Sequence, residues 1–379
     1  MIGNPMGNVL GNPLGNPLGL SRAGADISPI GTITTRTTGP AANEVEADGR
    51  QLLKANYSKL YAAIGDAYSI ANFSAGFTAV TLPSSEAWSS IAYGNGVFVA
   101  VAGNNTGRAA VSVDGGLSWS SYLIGISQNW TAITFGNGVF VAVASGSAAC
   151  ATSPDGVTWT QRSLPQSATW SCVQYGGGRF VALNQTNSSG ATSVDGVTWV
   201  AMTGAVAGVW TGLAYGSGKF VAVGKGVSGT TAMMYSSDGI SWTRGDLPAS
   251  AAWSSVAYGN GVFVAAATSA NAAVSADGIT WLAPPIEANM TSMCFGAGAF
   301  VGLNTGGVLS RSTNGFTWVA VVGAAPTGSY PSIAFGAGVF IGVTSTAAAA
   351  RINVYSATTF NLPNVKPGDN RSTAYIKVA

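Results

Sequence analysis

The sequence predicts an all-β fold, a seven-bladed β-propeller of four-stranded blades, and three observations carry that prediction. A Gly-x-Gly turn recurs seven times, a Ser-x-Asp-Gly-x-Ser/Thr-Trp stretch recurs after it, and the composition combines 52 glycines with only 8% charged residues. The turns begin at Gly94, Gly136, Gly176, Gly216, Gly259, Gly296 and Gly336, at spacings of 42, 40, 40, 43, 37 and 40 residues. A period near 40 residues is one supersecondary unit that cannot bury its apolar face alone and must stack on its neighbours.

Strand a of each repeat precedes the turn, as in Trp88 to Tyr93 and Trp253 to Tyr258, and strand b follows it, as in Val97 to Val101 and Phe220 to Val223. The Gly pairs around Asn95, Asn137 and Asn260 supply the positive φ angles of a two-residue hairpin. The second motif marks the turn between strands c and d: Ser112 to Trp119 with one extra residue, Ser153 to Trp159, Ser193 to Trp199, Ser236 to Trp242, Ser275 to Trp281 and Ser312 to Trp318. Asp114, Asp155, Asp195, Asp238 and Asp277, with Asn314 in the sixth copy, bond the backbone of the turn, so these residues are structural. The motif resembles the Asp-box repeat of sialidase-like propellers, and the resemblance concerns architecture.

Seven hairpins against six good boxes leave one blade short of its outer strand. Phe73 to Ala79, a worn box, leads into Val80-Thr-Leu-Pro83, which predicts that residues 76–82 form strand d of the last blade, beside strands a to c from about Tyr330 to Ser356. Such an N-terminal outer strand closes the ring and removes a sheet edge.

Outside the ring, residues 29–69 hold Pro29-Ile-Gly and Asp48-Gly, then Leu53, Tyr57, Leu60, Tyr61 and Ile64 at helical spacing before Gly65. Residues 357–379 hold Phe360-Asn-Leu-Pro363 and a terminal Tyr375-Ile-Lys377. Joined across the ring, these segments resemble the bacteriophage tail collar domain, with Asn364 where that pattern usually has Asp. The resemblance implies a small α+β domain with the propeller of residues 70–356 inserted in it. It also implies a virion tail fibre or tail tip protein, made in the host cytoplasm and acting extracellularly, commonly a homotrimer. Residues 1–28 begin with a Gly/Asn/Pro-rich tract that cannot be helical, expected to anchor the chain on other tail or baseplate proteins.

Composition bounds the remaining possibilities. A net charge of +2 without Lys/Arg clusters argues against nucleic acid as a partner, and apolar runs such as Val97 to Ala102 are too short for membrane insertion. The first residues lack the basic and apolar regions of a secretory signal. Cys150, Cys172 and Cys294 form no CxxC pair, histidine is absent, and no metal or cofactor is expected.

Uniform turns lie on one face of a propeller and irregular loops on the other, and irregular loops suit recognition. The expected receptor surface comprises Asn104, Asn105, Arg108, Tyr122, Gln128, Asn129, Gln161, Arg162, Asn184, Gln185, Asn187, Lys225, Arg244, Asp246, Glu287 and Tyr330, facing away from the collar domain. The partner is a host surface glycan or protein. Glycan hydrolysis is the alternative, since Asp246 and Glu287 fall in successive loops and could supply two carboxylates. No residue set matches a sialidase arginine triad. A purely structural tail component is the third reading.

Overall fold

The computed structural model describes residues 33–36, 44–46, 51–53, 77–185, 190–202, 208–225, 232–269, 271–284, 289–304, 306–320, 328–353, 359–361 and 373–377. The chain divides into two compact units, Met1–Asn72 with Tyr355–Ala379, and Phe73–Val354. The second of these is an all-β propeller.

Each repeat begins with an antiparallel hairpin, and all seven hairpins form. The first pairs Trp88–Gly94 with Val97–Ala102, and the last pairs Ser332–Gly336 with Val339–Val343. Asn95, Asn137, Ser217, Asn260, Ala297 and Ala337 take φ between 46° and 50°, each followed by a glycine at positive φ, as a type I′ turn requires. The third turn uses Gly177 and Gly178. Strand b is wholly buried in most repeats, as in Phe140 to Ala144, because it lies between two neighbouring sheets. Its near-continuous apolar character follows from that double burial.

Among the described residues the ring is built from six hydrogen-bonded sheets, where the sequence predicts seven separate ones. The second and third hairpins share one six-stranded sheet, from Asn129–Gly136 through the long strands Val139–Ser153 and Thr160–Gly176 to Val200–Ala201. The cause is local. Ser145 pairs with both Asn129 and Thr169, and Ser147 pairs with Ala168, so the short connection at Gly146 ladders onto the segment leading to the next hairpin. The prediction of four strands per sheet also fails once. The sheet of Trp253–Gly259, Val262–Ala267 and Ala272–Ser275 has only the bridge Val274 to Leu282 in place of an outer strand. Pro284 and Pro285 come after Ala283 and cannot donate to a ladder.

The closing strand forms as predicted. Phe77–Thr81 pairs antiparallel with Ala348–Asn353, Val80 opposite Ala349, so chain from both ends of the propeller completes its last sheet. Leu82, Trp88, Phe98, Ile341 and Val343 bury the seam in one core cluster.

In the flanking unit, Thr373–Lys377 pairs with both Ile33–Arg36 and Glu44–Glu46, and Thr359–Asn361 pairs with Gln51–Leu53. The two flanks thus form sheets with each other. Leu53 belongs to a strand rather than to the expected helix; Tyr57, Leu60, Tyr61, Ile64 and the tract of residues 1–28 lie outside the described residues.

Candidate functional site

The Asp boxes are turn locks. In the fourth, the backbone N–H groups of Ile240 and Ser241 both donate to Asp238 Oδ1 at 2.8 Å, while Ser236 Oγ donates to the same oxygen at 2.9 Å. These bonds hold the Asp238 carboxyl down at about 2, and backbone N–H bonds likewise hold Asp195 and Asp277 below the usual carboxylate range. At Asp114 burial pushes upward but is outweighed by bonds from Ser118, Ser112 and Leu117. Asn314 accepts from Phe316 and Thr317 in the same geometry without a charge. Carboxylates committed in this way are structural.

The repeated turns share one face. Asn95 Nδ2 donates to Gly138 O in the next hairpin turn and to Pro154 O in the next box, and Asn260 repeats this on Gly298 O and Thr313 O. The irregular connections bond to one another on the other side: Gly103 N to Ala87 O, Ile124 N to Gly107 O and Thr268 N to Ala252 O.

On that loop face one polar cluster is assembled around Glu86, which is only 8% exposed. Arg108 Nε lies 3.2 Å from its Oε1 and Asn104 Nδ2 donates to its Oε2 at 2.6 Å. Arg108 also donates to Ser121 Oγ, and Thr106 Oγ1 donates to Asn104 Oδ1. The buried Glu86 holds the guanidinium through Nε, and the Arg108 side chain remains 41% exposed. Asn105 is exposed beside them with φ at 61°.

The other expected site residues divide clearly. Tyr122, Gln128, Asn129, Arg162 and Gln185 are half-buried, with Arg162 Nε bonded to Thr152 Oγ1, and Gln161 is exposed while its amide reaches Ile124 O. Lys225, Arg244 and Asp246 are exposed. Asn187 and Glu287 lie outside the described residues, and so does any pairing of Glu287 with Asp246. Two assignments are corrected. Asn184 and Tyr330 are fully buried and cannot meet a receptor. Asn184 ends strand b opposite Trp170, and Tyr330 takes the core position that Trp88, Trp130, Trp170, Trp210 and Trp253 hold in other repeats. Burial pushes the Tyr330 hydroxyl up to about 12.

The sequence reading missed a polar girdle around the axis. Where strand a begins, a bulge sets one residue out of register: Ser89 between Trp88 and Ser90, Thr211 between Trp210 and Gly212, Ser254 between Trp253 and Ser255. Each such hydroxyl shares its proton between a carbonyl of its own strand b and the carbonyl of the residue opening the next repeat, an aromatic residue except where Ser254 reaches Met290 O. Ser89 Oγ reaches Val101 O at 3.1 Å and Trp130 O at 2.6 Å, and Thr211 Oγ1 reaches Val223 O at 3.3 Å and Trp253 O at 2.7 Å. Thr131, Ser171, Ser254 and Thr291 do the same, and Pro331 interrupts the series. The signal was the Ser/Thr that follows the repeated Trp. These residues line an axial cavity of about 360 Å³.

No protein-family model matches the chain, and no curated protein matches it. Solved structures do. A YCF48 bound to a D1 peptide is 16% identical, covering 74% of this chain and 96% of its own, with a TM-score of 0.58. A streptogramin B lyase is 12% identical over 74% and 99% of the two chains, with a TM-score of 0.64. A catalytically inactive histidine-to-alanine virginiamycin B lyase from Staphylococcus aureus, with quinupristin, is 10% identical over 74% and 99%, with a TM-score of 0.65. At these identities the likeness is one of fold.

Proposed function

We propose that this chain is a non-enzymatic, receptor-binding component of a phage tail, whose propeller meets a host surface glycan or protein through its loop face. We read the six sheets as seven repeats, the six-stranded one counting twice, inserted in a collar-type domain that also joins the chain to other tail proteins as a homotrimer. The observation that carries the binding reading is the Glu86, Arg108 and Asn104 cluster. A buried carboxylate presents an oriented guanidinium, with an exposed Asn104 beside it, on the irregular face. Planar donors of this kind suit hydrogen bonding to a sugar or a loop. The phage assignment draws support from the collar motifs, whose segments Thr359–Asn361 and Gln51–Leu53 pair with each other across the insertion.

Binding is favoured over catalysis for a chemical reason. The lyase neighbour is inactive when a histidine is replaced, and these 379 residues contain none. The box carboxylates are tied to backbone N–H groups, and the remaining described carboxylates of the ring, Glu86 and Asp246, have different surroundings, one buried against Arg108 and one exposed. The YCF48 neighbour holds a peptide, so binding by this fold has precedent.

The test is adsorption of the labelled full chain to bacteria that support the phage encoding it. Saturable binding is expected, weakened at least fivefold by Arg108→Ala and unchanged by Asp238→Asn on the turn face. Release of oligosaccharides from surface polysaccharide would replace this reading with hydrolysis, and absence of adsorption would leave a structural tail role.

A further inference from the structure

We propose that the axial cavity is a second binding site, one that takes a small uncharged ligand rich in hydrogen-bond donors, such as a neutral sugar. This site is separate from the Arg108 cluster and does not depend on the receptor reading. Its volume, about 360 Å³, falls within the range of roughly 300–1,000 Å³ that small-molecule sites occupy.

The lining decides the ligand class. Among the described residues that line it there is no Asp, Glu, Lys or Arg, so an ion would enter without a countercharge. Six repeats contribute a Ser or Thr hydroxyl, half-buried at the wall. A hydroxyl has one proton, and each of these is directed away from the axis to backbone carbonyls, as with Ser171 to Trp210 O at 2.7 Å and Ser254 to Met290 O at 2.6 Å. The oxygens of this tier therefore offer the axis acceptor lone pairs, which a ligand meets by donating. A second tier is complementary: Ser90 Oγ accepts from Ile133 N, Ser255 Oγ from Met293 N and Ser332 Oγ from Ile91 N, which commits lone pairs there and leaves the hydroxyl protons of Ser90 and Ser332 to donate to a ligand.

Each repeat also gives the wall one aliphatic side chain, from Ile91 and Ile133 round to Met293 and Ile333, and these are nearly buried. A wall of hydroxyls with small aliphatic edges between them matches a sugar, whose hydroxyls both donate and accept and whose C–H faces are apolar. Gln174 adds an amide, its Nε2 bonded to Tyr175 O at 3.0 Å, where other repeats place alanine at Ala92, Ala214, Ala257 and Ala334. That substitution makes the cavity asymmetric, as a site for one orientation of a small ligand must be.

The experiment is saturation-transfer NMR on the full chain with glucose, galactose and N-acetylglucosamine, using N-acetylneuraminic acid and glucosamine as charged controls. At least one neutral sugar should show transfer at millimolar concentration, with the charged controls at least fivefold weaker. Pro331 is exposed, lines the cavity and bears none of the girdle bonds, so Pro331→Trp should obstruct the cavity and abolish transfer while the melting temperature holds. Should that variant fail to fold, Gln174→Leu decides, with an expected rise in Kd of at least threefold. No transfer from any neutral sugar, equal transfer from the charged ones, or undiminished transfer in the folded cavity variant would overturn the proposal.

Discussion

Gly336 lies against the ring of Tyr93 so closely that a Cβ on the glycine would fall 2.0 Å from Tyr93 Cγ. The same relation joins Gly94 to Phe135, Gly136 to Tyr175, Gly176 to Tyr215, Gly216 to Tyr258, Gly259 to Phe295 and Gly296 to Phe335. The contact that closes the ring is thus the one that propagates it. Each first glycine of a Gly-x-Gly turn is there because the next repeat's aromatic ring leaves no space for a side chain. Arg351 adds a bond found at the seam, from its Nε to Gly115 O at 2.8 Å. Gly115 lies in the longer first box, so the extra residue there coincides with a latch.

Gly336→Ala should therefore destabilise the closed ring by about 2 kcal/mol, in the range measured when a packed core must admit extra atoms. Gly136→Ala, inside the ring, should cost a similar amount. Placing Gly336→Ala in a Tyr93→Ala background should remove most of its cost, since the obstructing ring is gone. Denaturant melts of the four variants check this; a harmless Gly336→Ala would mean that the seam is open in solution.

The boxes predict a specific acid response. Asp238 is held at about 2, below its ordinary value near 3.8, so its ionised form stabilises the fold fully above pH 4 and that contribution fades as pH falls through 2. Asp238→Asn should keep the turn, because Asn314 already makes the same backbone bonds, and should lose this part of the acid sensitivity. Asp238→Ala should be less stable than Asp238→Asn at pH 7. Melting temperatures at pH 7 and pH 2.5 distinguish the three chains, and an asparagine variant no better than alanine would show that charge, rather than geometry, holds the box.

The girdle predicts a cost without a cavity. Thr211→Val keeps the shape and deletes the bonds to Val223 O and Trp253 O, at about 1 kcal/mol for a hydrogen bond of this kind. Because Trp253 belongs to the next repeat, the loss should appear as weakened coupling between repeats. Hydrogen exchange at the amides of Trp253 to Val256 should quicken relative to those of the first hairpin. Uniform exchange would refute the coupling role.

What the sequence made legible was whatever recurs. Hairpins, boxes and the closing strand at Phe77–Thr81 each left several copies to compare, and local turn chemistry determined them. Tyr330 was misplaced for want of that comparison: it precedes Gly336 by the same interval as Trp88 precedes Gly94, yet tyrosine in a loop-like context reads as surface. The shared six-stranded sheet depends on two connections laddering on each other at Ser145 and Thr169, a long-range pairing that no local pattern encodes. Burial of Glu86 beneath Arg108 is likewise tertiary, and single charged residues in irregular loops carry no periodic signal.

The last prediction concerns two turns built from an unfavourable residue. Ala337 and Ala297 sit at φ 47° and 50°, a left-handed conformation in which an ordinary side chain costs roughly 1–2 kcal/mol and which asparagine tolerates better. Asn95 and Asn260 at the equivalent positions also donate to the following turn and box. Ala337→Asn should therefore relieve the backbone and place an amide near Gly96 O and Val113 O across the seam, stabilising the ring by about 1 kcal/mol. Ala337→Gly, which relieves the backbone but has no amide and gains freedom in the unfolded chain, should stabilise it less. Thermal melts should rank asparagine above glycine above alanine. Asparagine falling level with glycine would show that the exposed amide bonds across turns contribute nothing, and the positive-φ asparagines would then be explained by backbone preference alone.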